Sequence, residues 1–170
     1  MKKIVLILLL LTSIFAVGQN NSGKKFNFEI GLGYSLAAQK HEAEKVKYKL
    51  GFYFEERYNS PGIPVNIGLQ IGYSTFTRVI GGDDKFRSFS ILPVADYNFR
   101  KGGKINPYAG IGMGIAFNNI DGVFNAGFKS NFCIMPRIGV RFINHLNLSL
   151  DYQISHTDYS HMNIRFGFYF

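Results

Sequence analysis

The residues able to do chemistry are few, and most stand in alternating, strand-like runs. Glu29, Arg137, Asp151 and Arg165 are charged side chains on the polar parity of otherwise apolar segments. Inside an enclosed interior such charges must pair, because an isolated ion taken out of water is costly. They are read as one mid-depth hydrogen-bonded network. His156, Asp158 and His161 carry donor types for a metal ion, but ligand types without a scaffold do not make a site, and no metal ligand is assigned. Ser155-His156-Thr157-Asp158 holds the residue types of a hydrolytic triad. On a strand, adjacent Ser and His point to opposite faces, so no catalytic residue is assigned either. Gly110-x-Gly112-x-Gly114 lacks the strand-to-helix turn of a phosphate cradle; it is expected to make room beside large side chains such as Tyr108 and Arg137. His41 with Glu42 and Glu44, and Asp83-Asp84, read as solvated loop charges. Cys133 is the single cysteine, so no intrachain disulfide forms, and with no activating base in view it reads as a buried filler.

What must position these residues follows from the rest of the chain. Its 170 residues suit one domain. With 46% hydrophobic, 16% aromatic and 18% charged residues, the composition is not that of a disordered chain. The net charge of +8 is scattered rather than clustered, which argues against a nucleic-acid partner. Lys2 and Lys3 precede an apolar run from Ile4 to Phe15, and small residues Ala16-Val17-Gly18 follow. That pattern predicts a cleaved secretory signal peptide over residues 1–18 and a mature domain over 19–170. The apolar run is too short to span a membrane as a helix.

After Gln19 the period is two. Phe26, Phe28, Ile30, Leu32 and Tyr34 alternate with Asn27, Glu29, Gly31, Gly33 and Ser35. Seven further segments repeat this rhythm, around residues 46–55, 65–74, 88–99, 108–117, 131–142, 146–154 and 163–170. Each has about the 9–11 residues a tilted strand needs to cross a bilayer. Residues 59–64, 101–106 and 143–145 read as turns; residues 37–45, 79–85, 119–127 and 155–161 read as longer loops at the opposite end. The run Phe89 to Phe99 is echoed from Phe132 to Phe142, with Pro93 and Pro136 in equivalent places. A shared local bulge is expected at the two prolines, which cannot donate to a ladder.

Polarity separates a barrel in lipid from a soluble one. The apolar parity is almost unbroken, while the other is rich in Gly, Asn and Ser with a few charges. The first suits hydrocarbon and the second a narrow interior. In hydrocarbon an open sheet edge leaves N–H and C=O groups unpaired, so the sheet must close. The expected interior charges are Lys47, Lys49, Arg137, Arg141 and Arg165 against Glu29, Glu55, Asp96 and Asp151. Phe26, Phe28, Phe54, Tyr97, Phe99, Phe142 and Phe170 are expected at one rim, and Tyr34, Tyr48, Tyr73 and Phe117 at the other. The fold predicted is all-β: an eight-stranded antiparallel up-and-down transmembrane β-barrel.

An export signal, eight alternating segments and the ending Phe166-Gly167-Phe168-Tyr169-Phe170 resemble the small outer-membrane β-barrel proteins of Gram-negative bacteria, of the OmpA transmembrane-domain, OmpX and OmpW type. The resemblance implies a location in the bacterial outer membrane. It implies that Phe166, Phe168 and Phe170 form a C-terminal signal for the barrel-assembly machinery. An appended periplasmic peptidoglycan-binding domain is not expected, since the sequence stops at the last predicted strand. A monomer with no cofactor is expected, in contact with outer-membrane lipid and an unidentified surface ligand. The role it implies is structural or interactive around a packed, charge-paired lumen. The alternatives are a narrow OmpW-like channel for small or hydrophobic solutes, and a lipid-modifying barrel enzyme.

Overall fold

A computed structural model describes residues 25–37, 45–47, 49–79, 83–100, 104–121, 129–142, 145–155 and 160–170. The expected signal segment and its cleavage point lie outside these residues. The described strands are β1 (Phe26–Ala37), β2 in two stretches (Lys45–Lys47 and Lys49–Asn59), β3 (Val65–Val79), β4 (Asp83–Asn98), β5 (Ile105–Asp121), β6 (Lys129–Phe142), β7 (Leu146–Gln153) and β8 (His161–Tyr169). Each pairs antiparallel with its chain neighbours. β1 also pairs with β8, which closes the ring. Reciprocal bonds between Phe28 and Phe170, at 3.0 and 3.1 Å, extend that seam to the last residue.

The register fixes the shape. One row of neighbours runs Asn27, Arg57, Gly68, Val94, Gly112 and Met135. It continues through Gln153 and His161 and returns to β1 at Ala37, ten residues beyond its start. Eight strands with that stagger tilt by about 40° from the barrel axis, given ordinary strand spacings. The interior of so small a barrel has room for side chains and little else.

The two parities face as the alternation predicts. Ile30, Leu32, Leu50, Phe52, Ile67, Ile111, Phe132, Ile138 and Phe166 lie exposed on the outer surface. Glu29, Glu55, Asp96, Arg137, Asn147, Asp151, Asn163 and Arg165 lie buried inside. This inversion of a soluble protein stabilises the chain only where the outer surface meets acyl chains, since monomers in water rarely expose apolar patches beyond about 300–600 Å².

Three expectations are corrected. The prolines make no bulge. Pairing of β4 with β5 stops after Ile91↔Ile115 and resumes at Val94↔Gly112 in the same register. Pairing of β6 with β7 is interrupted likewise between Ile134↔Ile154 and Arg137↔Asp151. Each proline stays in register with the preceding strand, as Leu69↔Pro93 and Ile111↔Pro136. A missing N–H thus interrupts one ladder without inserting a residue. Second, the loop expected at 79–85 is mostly strand: β3 and β4 pair out to Val79↔Asp83. Third, Phe54 is no rim residue. It lies in a row with Ile30, Ile71 and Ile91, because β2 runs on to Asn59 and puts Tyr58 at the rim beside Phe26. The turn after β2 contains Pro61 and Gly62, the latter at φ 81°, the left-handed position a type II turn assigns to glycine after proline.

Candidate functional site: the barrel interior

The interior polar set divides by depth. Toward the end with short turns lies a dense ionic cluster; toward the other end lie Ser35, Ser74, Ser88, Asn118 and His161. Between them, against the β4–β5–β6 wall, Leu92, Val94, Ala116, Cys133 and Met135 form an apolar patch.

Arg137 is the centre of the cluster. From β6 it crosses the lumen and donates to Glu55 on β2 at 2.6 and 2.9 Å. It also donates to Asp96 on β4 at 2.7 and 2.8 Å. Both contacts are the forked kind that guanidinium geometry favours. Glu55 accepts further bonds from Arg57 and from the Gln70 amide at 2.9 Å. Asp96 also takes Arg141 at 2.5 Å. Glu29 accepts from Arg57 at 2.9 Å, the Tyr53 hydroxyl at 2.5 Å and the Asn147 amide at 2.7 Å. Arg141 lies over the Tyr108 ring, 3.8 Å from its centroid.

A second group sits on the β7–β8 wall. Arg165 bonds Asp151 at 2.6 Å, and Asn163 donates to the same carboxylate at 2.8 Å. Ser35 then donates to Asn163 at 2.7 Å. The Arg165 guanidinium lies 5.0 Å from the Tyr53 ring centroid, and Tyr53 in turn holds Glu29. Among the described residues the buried ions are four arginines and four carboxylates, a neutral set.

Glycines admit these groups. A Cβ at Gly139 would lie 2.6 Å from the Tyr108 ring, and one at Gly110 would strike the Asp96 carboxylate. Gly112 faces the Met135 and Val94 side chains instead. The glycine run therefore makes room, chiefly for Asp96 and the apolar patch rather than for Tyr108 and Arg137.

A closed eight-stranded ring with a lipid-type exterior and an ionic interior is an outer-membrane architecture, and the sequence agrees. Residues 7–170 match the family model described as the outer membrane protein beta-barrel domain. The chain belongs to that family. Its place is the bacterial outer membrane. No curated protein matches it in sequence. Among solved structures it is similar to Neisserial surface protein A, with a TM-score of 0.61 and 13% identity over 87% of this chain and 98% of that one. It is similar to OprG from Pseudomonas aeruginosa, with a TM-score of 0.57 and 13% identity over 85% and 95% of the two chains. It is also similar to the outer membrane enzyme PagL, with a TM-score of 0.51 and 14% identity over 84% and 97%. These likenesses concern the fold.

Of the four residues read as one network, Asp151 and Arg165 bond each other directly. Arg137 is in register with Asp151 but turns from it toward Glu55 and Asp96, while Glu29 takes Arg57. Arg57 is absent from the charges read in the sequence, where the second segment ends at Glu55. Continuing the alternation two residues finds it. The side chains of Lys47 and Lys49 lie outside the described residues, as do His41, Glu42, Glu44, His156 and Asp158. His161, grouped with those ligand types, is fully buried inside the barrel beside the Phe86 ring. Cys133 is buried in the apolar patch.

Proposed function

We propose that this barrel is a structural and surface-interaction element of the outer membrane, non-catalytic, with its lumen closed by the charge-paired filling. The observation that carries the reading is the span of Arg137, which ties β6 to β2 and β4 through the middle of the ring. A solute would have to break these buried pairs to pass. A surface role assigns partner recognition to the connections at the end opposite the short turns, in keeping with the similarity to Neisserial surface protein A. The working form is a monomer without cofactor, made after removal of residues 1–18 and inserted by the barrel-assembly machinery reading Phe166, Phe168 and Phe170.

Planar-bilayer recording tests the reading. The purified wild-type protein is expected to show no steady conductance. A steady, large conductance would replace this proposal with the solute-channel alternative. Mass analysis of lipid A after expression is expected to show no change; altered acylation would make the barrel an enzyme.

A further inference from the structure

A carboxylate stands on the outer side of the wall. Glu56 has the outward parity of β2, in register with Phe28 on β1 and Leu69 on β3. It is half-buried at the mouth of a groove of about 510 Å³ on the outer surface. The groove starts at the short-turn rim with Phe26 and Tyr58 and climbs across β3 and β4 to Met113 in the middle of β5. Its floor is low because Pro93 and Ala95 present little side chain between larger neighbours. Among the described residues the Glu56 carboxylate has no hydrogen-bond or ion-pair partner, although its backbone is paired in the ladders.

A carboxylate beside hydrocarbon is costly unless something pairs with it. No described residue of the wall supplies that partner, which leaves the bilayer as its source. Short turns face the periplasm in barrels of this kind, which puts Glu56 at the headgroup border of the inner leaflet. We propose that the groove holds one phospholipid with a primary-ammonium headgroup. The ammonium donates to the Glu56 carboxylate, and one acyl chain lies along Pro93 and Ala95 toward Met113. Charge complementarity selects the headgroup, and the groove's course from rim to mid-strand suits a chain descending from that border.

The test is native mass spectrometry of the full chain. The protein is released from nanodiscs containing equal parts of phosphatidylethanolamine, phosphatidylcholine and phosphatidylglycerol. Wild-type protein is expected to retain phosphatidylethanolamine over the other two, because the trimethylammonium of phosphatidylcholine has no N–H and phosphatidylglycerol is anionic. Glu56→Gln is expected to reduce that retention by about ten-fold, the scale of one charge-assisted hydrogen bond. Ala95→Phe, which fills the groove, is expected to abolish retention of all three. Heat-modifiable migration checks that each variant folds, and Glu56→Gln decides alone if Ala95→Phe does not. Equal retention of the three lipids, no effect of Glu56→Gln, or a protein dimer that Glu56→Gln dissociates would each overturn the proposal.

Discussion

Arg137 and Glu55 stand on strands far apart around the ring, yet two hydrogen bonds of 2.6 and 2.9 Å join them through the lumen. Neighbouring strands in a barrel are held by their ladders. Opposite walls are held only by what fills the space between. Arg137 serves four such bonds at once, with both Glu55 and Asp96 as acceptors. Replacing it with alanine takes two hydrogen bonds from each of two buried carboxylates and leaves three buried arginines to balance four buried acids. Arg137→Ala is therefore expected to destabilise the barrel by about 3–5 kcal/mol, the usual loss when one partner of a buried pair is removed. Urea unfolding in lipid vesicles measures it. A loss below about 1 kcal/mol, the range of an exposed pair, would show that the interior is wetter than its burial implies.

The second ionic group gives a cycle. Arg165 and Asp151 face each other at 2.6 Å, and each has other contacts: Asn163 for the carboxylate and the Tyr53 ring for the guanidinium. Asp151→Asn and Arg165→Met are each expected to destabilise the protein. The double variant is expected to lose less than the sum, by about 1–3 kcal/mol, because neither partner is left as an unpaired charge. Additive losses would place the two side chains in separate environments.

How much of this was legible in the sequence differs by level. Parity is local, so which residues of a strand face in can be read from alternation alone; Glu29, Glu55, Asp96, Asp151 and Arg165 follow from it. Partner choice is not local. Arg137 and Asp151 are register neighbours, so pairing them is the natural reading, but a stagger of ten residues around a tilted ring brings Glu55 and Asp96 within reach from other strands. That stagger depends on every register at once. Arg57 was obscured for a different reason. Glu56 breaks the apolar parity of its segment directly before Arg57, although the strand continues to Asn59. The prolines misled because their effect lies in which ladder loses a donor, and the sequence does not say which neighbour each N–H would have faced.

Close packing at Gly139 makes a sharper claim about Tyr108. Any Cβ there would stand 2.6 Å from the phenol ring, which is itself pinned between the Arg141 guanidinium at 3.8 Å and the Asn147 amide at 3.2 Å. The ring cannot give way without breaking those contacts. Gly139→Ala is expected to destabilise the barrel by about 1–3 kcal/mol, the cost of overpacking. In a Tyr108→Leu background the same substitution is expected to cost much less. A penalty independent of residue 108 would trace the effect to the backbone instead.

The outer surface is tested by depth. Ile111 lies mid-strand on β5, in register with Ala95 on one side and Pro136 on the other, and its side chain is exposed. Ile105 starts the same strand at the short-turn rim and is also exposed. In water the two positions would tolerate arginine about equally. In a bilayer the first sits in hydrocarbon, where arginine costs about 2–4 kcal/mol, and the second near the interface, where it costs about 0–1 kcal/mol. Ile111→Arg is therefore expected to lower unfolding stability in lipid vesicles well below that of Ile105→Arg. The gap is expected to shrink in short-chain detergent, where the guanidinium reaches water by bending a thin micelle. Equal losses at both positions in vesicles would mean that the apolar face is not the one turned to lipid.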